Sequence, residues 1–185
     1  GVAQHETQTH RLARERPEVL VVATGSVPCG PVAPGMQAKE VLCARELISG
    51  RAPLPRGRVL VAGGGTVGLE VAEILAGAGA KVVVVEARDE VGGDMFAEAR
   101  ILLLEKLEEL GVQILTSAML ISIAPDGGVV SRAGSGEETL AGFDAIVSAL
   151  GARPLDELSA EGLRAGIEVH VVGDARQPRQ AVAAI

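Results

Sequence analysis

"RVLVAGGGTVGLEVAEIL", residues 58–75, begins as an apolar strand, breaks at three glycines and resumes with apolar residues at helical spacing. Gly63, Gly65 and Gly68 stand in the spacing GxGxxG. In a chain with 24 glycines that spacing is weak by itself, so its surroundings decide what it means. A dinucleotide site needs a tight turn that brings a helix N-terminus against phosphate. Gly63 can make the turn, Gly65 keeps the backbone open to a pyrophosphate, and Gly68 lets helix and strand pack closely. Gly64, Thr66 and Val67 place further backbone N–H groups at the positive end of the helix dipole.

The second half of the motif is an acid at the end of the following strand, where it accepts hydrogen bonds from ribose hydroxyls. "KVVVVE", residues 81–86, ends in Glu86. A carboxylate there favours NADH, because it repels the 2′-phosphate of NADPH. Arg88, just past Ala87, can pair with that phosphate if Glu86 turns away. NADH is thus preferred and NADPH stays open. Glu70, in the first turn of the helix, either complements the helix dipole or approaches the nicotinamide.

Outward from this stretch the pattern is regular. A strand over 58–62, a helix over 66–78, a strand over 81–86, a helix over 96–109 and a strand over 112–116 make βαβ units with a parallel sheet. Val67, Val71, Ile74, Leu75 and Ala78 form the expected inner face of the first helix. Ile101, Leu104, Leu107 and Leu110 do so in the second. Residues 118–143 alternate and are split by "PDGG" and "GSGEE", which predicts antiparallel hairpins. "DAIVSALG" follows as a buried strand, then a helix over 155–162, a strand in "EVHVVGDA" and the start of a helix in "QPRQAVAAI". Upstream, "EVLVVATGS", 18–26, predicts one continuous buried strand. A proline- and glycine-rich loop, a short helix over 39–49 and a linker "GRAPLPRG" come after it.

Composition narrows the function classes. Apolar residues make up 48% of the chain and are almost all aliphatic, which suits strands buried on both faces. The net charge of −7, with 17 scattered Lys and Arg, lacks the footprint of a nucleic-acid binder. No apolar run reaches membrane-spanning length and the polar start has no signal-peptide features, so a cytoplasmic protein without a membrane partner is expected. Cys29 and Cys43 are too far apart for CxxC chemistry. His5, His10 and His170 show no metal-ligand spacing, and no nucleophile, base and acid set stands out. No metal site and no catalytic side chain is expected.

Taken together, "VVVATGSVP", "VAGGGTVGLEVAEIL", "VVVVEARDEVGGDM", "SALGARP" and "HVVGDARQPRQAVAAI" resemble the pyridine-nucleotide module of two-dinucleotide flavoproteins, a superfamily that includes the disulfide reductases. The likeness is to the C-terminal part of multidomain NADH:flavin oxidoreductases related to 2,4-dienoyl-CoA reductase, over roughly residues 17 to 185. It implies an α/β fold in which a Rossmann-like NAD(P)-binding domain, a parallel sheet plus a β-meander, is flanked by pieces of a second, FAD-type domain. By this likeness residues 55–153 bind NAD(P)H, while 1–54 and 154–185 belong to the FAD-type domain. Gly63, Gly65, Gly68 and Glu86 would hold NADH, Glu70 would near its nicotinamide, and Gly151 would lie where the chain passes the cofactor. Asp174 resembles the acid that contacts the ribityl chain of FAD, with a simple helix cap as the other reading.

The resemblance also implies a parent enzyme that passes hydride from NADH to FAD and reduces an activated double bond. Its FAD fingerprint, an FMN-bearing barrel and the cysteines for an iron–sulfur cluster would all lie upstream of residue 1, so the chain is expected to be a fragment without a complete catalytic cycle. A disulfide reductase or NADH oxidase module, and a nucleotide-binding module without hydride transfer, are the competing expectations.

Overall fold

In this computed structural model the described residues are 15, 17–29, 33–35, 41–124, 127–132 and 136–178. They pack as two compact units, one drawn from Gly1–Pro28 and Ala152–Ile185, the other from Cys29–Gly151.

The second unit is built on five parallel strands. In chain order its elements are β3 (Val41–Cys43), α1 (Ala44–Ile48), β4 (Arg58–Ala62), α2 (Thr66–Gly77), β5 (Lys81–Val85), α3 (Ala97–Glu109) and β6 (Gln113–Leu115). A meander of β7 (Ala118–Ala124), β8 (Gly127–Arg132) and β9 (Gly136–Ala141) follows, and then β10 (Ala145–Ser148). The sheet order is β3-β10-β4-β5-β6, and β7-β8-β9 forms a separate antiparallel sheet with a register shift between Leu120 and Ser122. The turn residues 125–126 and 133–135 lie outside the described residues.

Residue parity divides the core. Val59, Val61, Val82, Val84 and Val147 point to the helices, against Leu69, Val71, Ala72, Leu75 and Leu107. Leu60, Ala62, Val83, Val85 and Ile146 point the other way, against Leu120, Val130 and Phe143 of the meander and its exit. Covering both faces is what makes β4 and β5 apolar without alternation. Each such valine or leucine, shielded from water, contributes on the order of 1.5–3 kcal/mol.

Several expectations are corrected. In α2 the inner face is Gly68, Leu69, Val71, Ala72 and Leu75, while Val67, Ile74 and Ala78 are exposed. The cause is Gly68, which must meet the glycine turn and so fixes the helix rotation. In α3 Leu107 is buried, Leu104 and Leu110 are half-buried, and Ile101 faces solvent. The helix expected over 39–49 starts only at Ala44. Val41–Cys43 is instead an edge strand in register with residues 146–148. Residues 41–54, expected to belong with the flanking pieces, therefore lie in the unit of the glycine turn.

The first unit contains β1 (Val19–Val22), β2 (Ser26–Pro28), β11 (Ala152–Pro154), α4 (Ser159–Arg164) and β12 (Glu168–Val171). β1 pairs in parallel with β12, and β2 pairs antiparallel with β11. The strand expected over 18–26 stops at Val22. Residues 23–25 intervene, and of β1 only Val22 is buried, with Val19 and Val21 exposed. Thr24 closes this corner by donating its hydroxyl to the Leu155 carbonyl. The expected terminal helix lies largely outside the described residues. Among the described residues no helix is long and apolar enough to cross a membrane, and no cluster of His, Cys, Asp and Glu has a metal-binding arrangement.

Candidate functional site

β4 runs into the glycine turn with its backbone already committed to the sheet. The Gly63 N–H donates to the Val85 carbonyl at 2.9 Å, which ties the turn to β5. Gly63 has φ +106°, a conformation that side chains oppose, and a Cβ there would also lie 2.5 Å from the Ala149 carbonyl oxygen. Gly68 is closer still. Its Cβ would stand 1.9 Å from the Gly63 carbonyl oxygen, so the helix rests directly on the turn. A Cβ on Gly64 would meet Val91 Cγ1 at 2.5 Å. Each position takes glycine for a different steric reason.

Two carboxylates reach the amides of this turn. Glu86, just after β5, accepts from the Gly64 N–H at 2.7 Å through Oε2 and from the Arg88 N–H at 2.9 Å through Oε1. Asp94 accepts from the Thr66 N–H at 3.0 Å and 3.2 Å through its two oxygens. The segment that carries Asp94 is tied down by the Gly92 N–H donating to the Gly64 carbonyl at 2.7 Å. Arg100 adds a hydrogen bond to the Val91 carbonyl at 2.6 Å and an ion pair with Glu90 at 3.3 Å.

These elements enclose a cleft of about 360 Å³ at the C-terminal ends of the parallel strands. Gly63, Gly64, Gly65, Thr66, Val67, Glu86, Arg88 and Gly151 all line it. A crevice beyond the carboxyl ends of the strands, at a helix N-terminus, is where open α/β sheets take their ligands. The residues present fit a dinucleotide: glycines leave room for close approach, helix-terminal amides suit a pyrophosphate, and a carboxylate suits ribose hydroxyls. Gly68 sits behind the cleft as packing. Glu70 and Ala87 do not line it, and Asp174 belongs to the other unit, where its carboxylate accepts from the Ser26 hydroxyl at 3.1 Å.

Gly92, Gly93 and Asp94 also line the cleft, and sequence reasoning assigned them no part in it. The signal was present as "EVGGDM", in which a glycine pair delivers an acid just before α3.

The family model described as pyridine nucleotide-disulphide oxidoreductase matches residues 4–184. The bilirubin reductase of Mediterraneibacter gnavus (strain CC55_001C) is 34% identical over 165 residues, 88% of this chain and 25% of that protein. The NADH oxidase of Thermoanaerobacter brockii is 32% identical over 168 residues, 89% of this chain and 26% of that protein. A solved 2-naphthoyl-CoA reductase complex superposes with a TM-score of 0.79 at 27% identity, covering 93% of this chain and 26% of the other. The chain thus spans about a quarter of the length of these relatives.

Proposed function

Because this chain belongs to the pyridine nucleotide-disulphide oxidoreductase family, we propose that it is the NAD(P)H-binding module of a flavin-dependent oxidoreductase. One observation carries the reading: the turn over residues 63–68 opens α2 beside Glu86, and together they line one cleft. In this reading the backbone at Gly65, Thr66 and Val67 holds the pyrophosphate, while the Gly64 amide stays with Glu86. Glu86 holds the adenosine ribose, with Ala87 and Arg88 beside it. Glu70 and Gly151 serve the nicotinamide end. When bound, the dinucleotide supplies a hydride to a flavin. This chain's task is then to orient the nicotinamide and exclude water, which needs no acid or base from it.

NADH is proposed over NADPH because Glu86 presents a carboxylate, held by two backbone amides, where a 2′-phosphate would come. The unit over residues 29–151 serves as the NAD(P)H module. The unit drawn from residues up to 28 and from 152 on, with Asp174, contributes to an FAD site. For the whole enzyme we propose reduction of an activated double bond, supported by the likeness to a naphthoyl-CoA reductase and a bilirubin reductase. FAD, FMN and an iron–sulfur cluster would be held with upstream flavin domains, in a cytoplasmic enzyme. The similarity to an NADH oxidase and the match to a disulphide oxidoreductase family support a second reading, with oxygen or a disulfide as the final acceptor.

Calorimetric titration with NADH, NADPH, ADP and FAD, repeated with Glu86→Ala, tests the module. NADH binding more tightly than NADPH, with that preference weakened in the variant, is expected. ADP binding as tightly as NADH would point to a module that holds nucleotide without hydride transfer. A folded chain that takes up none of them would refute the reading.

A further inference from the structure

The N-terminus of α2, assigned above to a pyrophosphate, is already met by an anion of the protein itself. Both oxygens of Asp94 accept from the Thr66 N–H, at 3.0 and 3.2 Å. This carboxylate does not come from the helix's own cap residue, which is Gly65 and has no side chain to offer. It arrives from the segment after β5. A Cβ on Gly65 would lie 3.4 Å and 3.5 Å from the two Asp94 oxygens, so the carboxylate lies directly over the backbone that Gly65 leaves open. The adjoining amide of Gly64 is held by Glu86 in the same way.

A carboxylate and a phosphate seek the same donors and the same dipole, and each repels the other. We propose that Asp94 is an internal stand-in for the pyrophosphate, which must release Thr66 before a dinucleotide can seat, and that it thereby sets the affinity of the cleft. The proposal rests on the dinucleotide reading given above. The side chain of Asp94 is the moving part, while its backbone stays: the Gly92 N–H to Gly64 carbonyl bond anchors the 90–95 segment on one side, and the Arg100 contacts to Val91 and Glu90 hold its base. The two carboxylates have distinct tasks. Glu86 stays to meet ribose, whereas Asp94 leaves. A ligand without phosphate has no reason to displace Asp94, so the effect discriminates between ligand classes.

The test compares the chain with its Asp94→Asn variant, which keeps a capping oxygen and removes the charge. NADH and ADP-ribose are titrated by calorimetry, and adenosine by NMR. Asp94→Asn is expected to tighten NADH and ADP-ribose about three- to tenfold and to leave adenosine unchanged. Asp94→Ser is read in the same way should the asparagine variant fail to fold. Unchanged or weakened NADH binding in a folded variant would overturn the proposal, as would equal tightening of adenosine. If neither the folded wild type nor the folded variants take up NADH, the dinucleotide reading itself fails and this proposal falls with it.

Discussion

Gly68→Ala isolates the contact on which the glycine turn depends. The added methyl would stand 1.9 Å from the Gly63 carbonyl oxygen and 2.9 Å from its carbon, both backbone atoms. No rotamer change relieves that contact, so α2 must lift from β4 or the turn must open. Overpacking of a well-filled core costs about 1–3 kcal/mol, and a clash with backbone falls at the upper end. For a chain of this size about 3 kcal/mol corresponds to a melting temperature lower by roughly 6–12 °C. Gly77, at the other end of the same helix, is the control. A Cβ there meets nothing within 4 Å. Gly77→Ala should therefore stabilise, by up to about 1 kcal/mol, through helix propensity alone. Thermal unfolding followed by circular dichroism reads both, and NADH titration should show Gly68→Ala binding much more weakly. If Gly68→Ala melted within about 2 °C of the parent, by the same size scaling, the close packing of helix on turn would be refuted.

Leu107→Ala, at a fully buried position, should cost about 2–5 kcal/mol, whereas Ile101→Ala, with 56% exposure, should cost under about 1 kcal/mol; urea unfolding distinguishes them. Arg58→Ala removes a guanidinium 4.3 Å above the Phe143 ring and its hydrogen bond to the Ala141 carbonyl, and should lose about 1–2 kcal/mol in the same assay. Arg88→Ala should weaken NADPH more than NADH, since Arg88 lines the cleft and its guanidinium would pair with a 2′-phosphate that NADH lacks; competitive titration of the two nucleotides measures the ratio.

The parallel sheet and the meander were legible because strand runs, helical spacing and turn residues agreed with one another over residues 58–151. What the apolar runs could not disclose was which face of each strand meets the helices. Val59 and Leu60 are equally apolar, and only the helices on one side and the meander on the other tell them apart. The rotation of α2 was hidden because Gly68 carries no hydrophobicity, although its contact with Gly63 outweighs the burial of Val67 and Ile74. Val41–Cys43 was hidden for another reason: a three-residue strand beside a helical pattern is decided by its pairing with residues 146–148, about a hundred positions on. In the site, the glycines and Glu86 follow a spacing that local sequence preserves. Asp94 follows none, and its bond to Thr66 spans 28 positions.

The most direct test of the central claim is an amide NMR titration of the ¹⁵N-labelled chain with NADH. If the glycine turn cradles a dinucleotide, the largest shifts fall on Gly64, Gly65, Thr66, Val67 and Arg88, whose amides surround the cleft. Shifts confined to residues 154–176 of the other unit, or a saturated titration that leaves the 63–68 amides in place, would contradict it.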